Sequence, residues 1–192
     1  MKQKLFTADY QQIKSGELTD VYFQRTLQVL EARGINKRVR AEFIIKSFPH
    51  SWEWGVFTGL HDCCRLMEGS DVTIRAIPEG TIFRSLFPVM EIEGKYNGFC
   101  IPETALLGFI CQSSGVATKA ARCRLAAEEK GLVHFGARRI YPTIVPMIDK
   151  NAYIGGCDGV SVTLSARMMG QEPVGTIPHS LILVVGDTVE AL

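Results

Sequence analysis

Arg138 and Arg139, Asp158 and His179 are the side chains of this sequence best suited to chemistry. Each sits in a short glycine-bearing cluster: Phe135-Gly136-Ala137-Arg138-Arg139, Gly155-Gly156-Cys157-Asp158-Gly159 and Gly175-Thr176-Ile177-Pro178-His179. A guanidinium can grip a carboxylate or phosphate through paired N–H bonds. An aspartate among glycines stands where the backbone can approach a ligand closely. An imidazole can move a proton or act as a nucleophile. A short β-like run precedes each cluster, and right-handed crossovers between parallel strands would carry all three clusters to one rim of a sheet. There a cation pair, a carboxylate and an imidazole would meet on one ligand. Taken singly, each has an ordinary reading: exposed arginine is the default, Gly-x-Asp-Gly is turn chemistry, Phe135 is core, and a lone histidine is structural. His50, His61 and His134 carry no supporting context.

The elements that must position these residues fall into two textures. Leu18 to Glu31 has apolar residues near helical period, with Gly34 as a stop. Arg40 to Phe48 reads as a strand with one solvated face, and Gly55 to Met67 as a helix closed by Gly69. On that helix Cys63 and Cys64 would join Leu60 and Leu66 as small buried hydrophobes. Asp71 to Ile77, Thr81 to Phe87 and Val89 to Ile92 are β-like and punctuated by Pro and Gly, which predicts a small mixed sheet. Glu103 to Lys130 reads as one kinked helix or two consecutive ones, because Ser113-Ser114-Gly115 is a weak point. After Gly131 short strands alternate with Ala- and Leu-bearing segments, the pattern of βα units. The expected division is an N-terminal α+β domain over residues 1–115 and the first βα units of an incomplete α/β barrel over 116–192. About three such units cannot close a barrel, which needs on the order of 250 residues.

Composition narrows the functional classes. The chain has 192 residues, 46% of them hydrophobic, enough for a sizeable core. A net charge of +1 leaves no electrostatic footprint for nucleic acid or an anionic membrane. No apolar run is long enough to span a bilayer, and Met1-Lys2-Gln3-Lys4 leads into no secretory h-region, so a cytoplasmic protein is expected. The six cysteines lack C-x-x-C spacing and read as reduced thiols, not as a metal site. Pro78-Glu79-Gly80-Thr81 through Gly94-Lys95 has the texture of a biotinyl or lipoyl carrier hairpin, but Lys95 lacks the flanking residues of one and the segment reads as structural.

The segments FGARR, AYIGGCDGVS and GTIPHSL, in this order, resemble the nicotinate phosphoribosyltransferase family. TDVYFQRT, PEGTIFRSLFPVMEIEGKY and ETALLGFICQSSGVATKAARCR extend the resemblance over nearly the whole chain. It implies an N-terminal mixed α/β domain followed by a partial, irregular α/β barrel of the type II phosphoribosyltransferase kind. Family members are considerably longer, so the chain is expected to be truncated after the first part of the barrel.

The implied reaction joins nicotinate to phosphoribosyl pyrophosphate, releasing pyrophosphate and forming nicotinate mononucleotide for NAD biosynthesis. ATP would be co-substrate, and magnesium would accompany the pyrophosphate. By resemblance, Arg138 and Arg139 anchor the substrate and Phe135 stacks on the pyridine. Asp158 lies beside pyridine and ribose, with Gly155, Gly156 and Thr176 lining the site, and His179 is the phosphoryl acceptor that couples ATP hydrolysis. Tyr22, and with it Arg25, would reach across a homodimer interface into a shared site. Ser114 and Thr118 match a polar patch of the family and read equally as capping or kink residues. Two alternatives stand beside this reading: quinolinate phosphoribosyltransferase, for whose second carboxylate Arg139 is the obvious partner, and a non-catalytic oligomerisation module.

Overall fold

Asp9 caps the first helix reciprocally: its carboxylate accepts from the Gln12 N–H, and the Gln12 side chain accepts from the Asp9 N–H. From that capping box the computed structural model, which describes residues 5–192, runs through α1 (Tyr10–Lys14) and α2 (Val21–Ala32). The reading of Met1 to Lys4 lies outside the described residues. The first strands are β1 (Arg38–Phe43) and β2 (Trp54–Val56), followed by α3 (Leu60–Met67), β3 (Val72–Ala76), β4 (Ile82–Arg84) and β5 (Met90–Lys95).

β5 alternates buried Met90 and Ile92 with half-exposed Glu91 and Glu93, which is why it can sit at the centre of an antiparallel sheet of order β1-β5-β3. Ala41 and Ile74 flank Ile92 on the core face. On the outer face Glu93 lies 3.1 Å from Arg38, 3.6 Å from Arg40 and 3.0 Å from Arg75. Hydrogen bonds from Arg75 and Arg38 hold its carboxyl below the usual range.

The predicted helix over Gly55 to Met67 is corrected at its start. Trp54–Val56 is instead a strand paired antiparallel with β4, and Gly59, at φ +94°, turns the chain into α3. Cys63 is fully buried there, and burial pushes its thiol up to about 12, while Cys64 is exposed.

α4 (Glu103–Ala127) is one uninterrupted helix, roughly 37 Å long at 1.5 Å per residue. It passes through Ser113-Ser114-Gly115 because tertiary contacts outweigh the weak propensity of those residues. The Ser114 hydroxyl accepts from the Thr58 amide at 3.1 Å, and that of Thr118 accepts from the Val56 amide at 2.8 Å. Residues four apart on a helix and two apart on a strand both advance by about 6–7 Å, so the two hydroxyls match alternate amides of the passing chain. Ser114 and Thr118 therefore dock the segment that begins with β2 rather than kinking α4, and Thr118 is 4% exposed.

The N-terminal half of α4 closes the main core with Leu106 and Ile110 against Phe57, Cys63, Met90 and Ile92. Its C-terminal half packs on α5 (Val145–Ile154), so the expected division at 115/116 falls inside a helix that serves both parts. β6 (Val133–His134) and β7 (Gly159–Val160) form a parallel pair, followed by α6 (Thr163–Met168) and α7 (His179–Val185). No closed barrel forms among the described residues. No helix among the described residues is long and apolar enough to cross a membrane. All six cysteines are unpaired.

Candidate active site

Parallel strands have an amino and a carboxyl edge, and the pair β6–β7 separates the first two sequence clusters between them. Only the first cluster follows a strand. Phe135 continues from the end of β6 and is 47% exposed, and the 3₁₀ turn Ala137–Arg139 then presents Arg138 and Arg139 to solvent. Neither guanidinium has a carboxylate partner among the described residues, unlike Arg124, Arg38 or Arg75.

The second cluster precedes its strand. The run before it, read as β-like, is helix α5, which starts after the 3₁₀ turn Pro142–Ile144 and has Pro146 in its first turn. Asp158 consequently lies at the amino edge, three residues and about 10 Å of strand away from the Phe135 level, with Gly155 and Gly156 before it at the end of α5. Gly155 is there for space, since a Cβ would stand 2.4 Å from the Ala117 carbonyl oxygen of α4. Gly156 is there for conformation, at φ +108°. The Asp158 carboxylate accepts from the Leu132 amide at 2.7 Å and pairs with Arg124 at 2.5 Å. These two partners hold its carboxyl below the usual aspartate range. The expected meeting of Arg138, Asp158 and His179 on one rim is thus corrected: Asp158 belongs to a staple at the opposite edge. The Arg124 guanidinium completes that staple through the carbonyls of Gly156, Glu128 and Lys130.

The third cluster follows a single backbone contact with β7 and forms no strand. The Val174 amide donates to the Val160 carbonyl at 2.9 Å, and the Val174 side chain packs on Gly159. Beyond α6 the chain touches β7 at that one bond, Gly175 and Thr176 follow it, and His179 opens α7. Thr176 and His179 are both exposed. The carboxyl edge therefore gathers Phe135, Arg138 and Arg139. Tyr22 and Arg25 are on α2, whose start is tied to that of α4 by the Thr104 hydroxyl donating to Asp20 at 2.9 Å. Tyr22 is 55% exposed while its neighbour Phe23 is buried, so the phenol is free to meet another surface.

Sequence reasoning missed two groups at this edge. Ser161 follows β7 directly, its amide donating to the His134 carbonyl at 3.2 Å, and Thr163 stands exposed two residues on. Counting forward from the buried pair Gly159-Val160, instead of back to the glycines, would have found them. His134, dismissed for lack of context, has its Nδ1 2.5 Å from the fully buried carboxylate of Asp149. That partner lies fifteen residues away on α5 and left no local signal.

Comparison with known proteins decides what this arrangement belongs to. Residues 20–114 match the family model described as quinolinate phosphoribosyl transferase, N-terminal domain. The chain aligns over 98% of its length with a nicotinate-nucleotide pyrophosphorylase from Pyrococcus furiosus, at 50% identity and a TM-score of 0.95. The chain belongs to the type II phosphoribosyltransferase family. Human nicotinic acid phosphoribosyltransferase superposes with a TM-score of 0.80 at 26% identity over 87% of the chain. Nicotinate phosphoribosyltransferase 2 of Arabidopsis thaliana is 29% identical over 86% of it. The chain spans about half the length of the Pyrococcus protein and little more than a third of the Arabidopsis one. Within this type II phosphoribosyltransferase chain, the exposed arginine turn after β6 has no carboxylate partner among the described residues.

Proposed function

We propose that this chain carries the pyridine-acid side of a nicotinate phosphoribosyltransferase site, serving NAD biosynthesis in the cytoplasm. The observation that carries the reading is the turn Phe135–Arg139: two solvent-facing guanidiniums with no carboxylate partner among the described residues, beside an exposed aromatic ring, at the carboxyl edge of parallel strands. Arg138 would hold the nicotinate carboxylate in bidentate fashion, and Phe135 would stack on the ring. The ring nitrogen would then displace pyrophosphate from C1 of phosphoribosyl pyrophosphate. Ser161 and Thr163 offer hydroxyls along the same edge, and Thr176 is assigned to the substrate beside them.

His179, exposed at the start of α7, is our choice for ATP coupling: an imidazole nitrogen attacks the γ-phosphorus, the bond to ADP breaks, and a phosphohistidine remains. Among the described residues no three His, Cys, Asp or Glu side chains converge. Magnesium is assigned to substrate oxygens and water, and no step runs through it here. Tyr22, with Arg25 near it, is assigned to a site shared across a homodimer. The division at 115/116 is kept as a functional one, with substrate contacts in trans from the first part.

Formation of nicotinate mononucleotide from labelled nicotinate and phosphoribosyl pyrophosphate by the full chain, with and without ATP, tests the reading. Product whose yield rises with ATP, together with acid-labile phosphate lost in His179→Asn, supports it. Absence of both product and nicotinate binding overturns it. The family match to a quinolinate domain favours one second reading, in which Arg139 takes a second carboxylate. Competition between the two acids separates them.

A further inference from the structure

Gly136 occupies backbone that any residue could adopt, at φ −78° and ψ −10°. Conformation therefore does not explain why it is glycine. Space does. A Cβ at Gly136 would lie 2.5 Å from Nε2 and 2.8 Å from Cε1 of His134, well inside van der Waals contact. The imidazole thus sits directly against the backbone of the turn that presents Arg138 and Arg139.

The ring is in turn held from its other side. Its Nδ1 lies 2.5 Å from Asp149 Oδ1, and the Asp149 side chain is 1% exposed, against 22% for that of His134. A carboxylate is an acceptor, so Nδ1 carries the proton, and Nε2 is the nitrogen that faces the turn. Asp149 is anchored in the middle of α5, the helix that packs on α4 and β6. The Gly136 carbonyl accepts from the Arg139 amide at 2.9 Å, so the residue touched by the ring also starts the 3₁₀ turn.

We infer that His134, clamped by Asp149, is a positioning residue: the pair forms a wedge under Gly136 that fixes the conformation in which the Phe135–Arg139 turn offers its arginines. What that turn binds rests on the function proposed above, but the wedge itself does not. A guanidinium pair held in place before the ligand arrives loses less freedom on binding.

The test is a compensating pair of substitutions in the full chain. His134→Asn keeps an N–H donor for Asp149 but removes the part of the ring that fills the space at Gly136. Gly136→Ala alone should shift the backbone amide resonances of residues 135–139 while leaving those of β1, β3 and β5 in place. The double variant His134→Asn/Gly136→Ala should bring them back toward wild type. Nitrogen-15 spectra should show His134 protonated at Nδ1, with that preference lost in Asp149→Asn. Nicotinate affinity, read by calorimetry, should fall about tenfold in Gly136→Ala and recover in the double variant. Turn resonances unmoved by Gly136→Ala, or unrestored in the double variant, would overturn the wedge. Coupled resonances in a wild-type chain that does not bind nicotinate would sustain the wedge and overturn the functional reading instead.

Discussion

The two ends of α4 pack into different kinds of structure. Around its first half Phe57, Ile92 and Leu106 are fully buried between a three-stranded sheet and the helices α3 and α4. Beyond its second half the strands are two residues long, and α7 buries none of its residues, with Leu183 81% and Val184 85% exposed. The second region has a smaller apolar cluster of Ala120, Ala152 and Cys157, to which polar ties are added: the Arg124–Asp158 staple, the Asp149–His134 wedge and the Val174 to Val160 bond. A well-packed core resists rearrangement because every removed atom leaves a void, whereas tethered turns keep side chains available to a ligand. The candidate site sits on the tethered region.

The comparison is broken most directly in the core. Leu106→Ala should cost about 2–5 kcal/mol of stability, a fully buried leucine leaving a cavity among aromatic and aliphatic neighbours. Denaturant titration checks it, and a loss well under 1 kcal/mol would mean the first region is not the one that holds the fold. Arg138→Ala should do the reverse. Its melting temperature should match wild type while nicotinate affinity falls about 10- to 100-fold, the size of a lost charge-assisted contact. Calorimetry beside a thermal melt separates the two effects; an unstable Arg138→Ala would show that the turn is part of the core after all.

Between these extremes lies Thr118→Val. It keeps the shape but removes the acceptor for the buried Val56 amide, so about 1–3 kcal/mol should be lost. Nicotinate affinity should stay within about twofold of wild type, because Thr118 faces β2 and not the carboxyl edge. A large fall in affinity with stability unchanged would return Thr118 to the site.

The same contrast explains what could be read in advance. The alternation of Met90-Glu91-Ile92-Glu93 is a local signal of burial and the period of Val21 to Ala32 a local signal of helix, although only Phe23 is buried there, and both elements were legible. The strand at Trp54–Val56 was not, because its pairing depends on β4 and on hydroxyls sixty residues away on α4. In the second region Val145 to Ile154 has β-branched and aliphatic residues that suit a strand, yet Pro146 and the preceding 3₁₀ turn start a helix there. Once that run is helical, the glycines after it open β7 rather than close a strand, and Asp158 moves to the other edge. The arginine turn was legible because it follows its strand directly. The wedge was not, because Asp149 and His134 meet only through the packing of α5.

The smallest expected effect is the most discriminating for Asp158. Its carboxyl is held below the ordinary value of 3.8, by the Leu132 amide first and by Arg124 next. A group whose folded value is depressed adds stability above its unfolded value and loses that contribution as pH falls through the folded one. The stability difference between wild type and Asp158→Asn should therefore be constant from pH 7 down to about 4 and shrink below it. If the residue only staples the amino edge, nicotinate affinity and product formation at pH 7 should be nearly unchanged in Asp158→Asn, since Arg138 lies at the other end of the strands. A collapse of turnover at pH 7 with the melting temperature intact would place the carboxylate on the substrate, and would require the loop carrying it to leave Arg124.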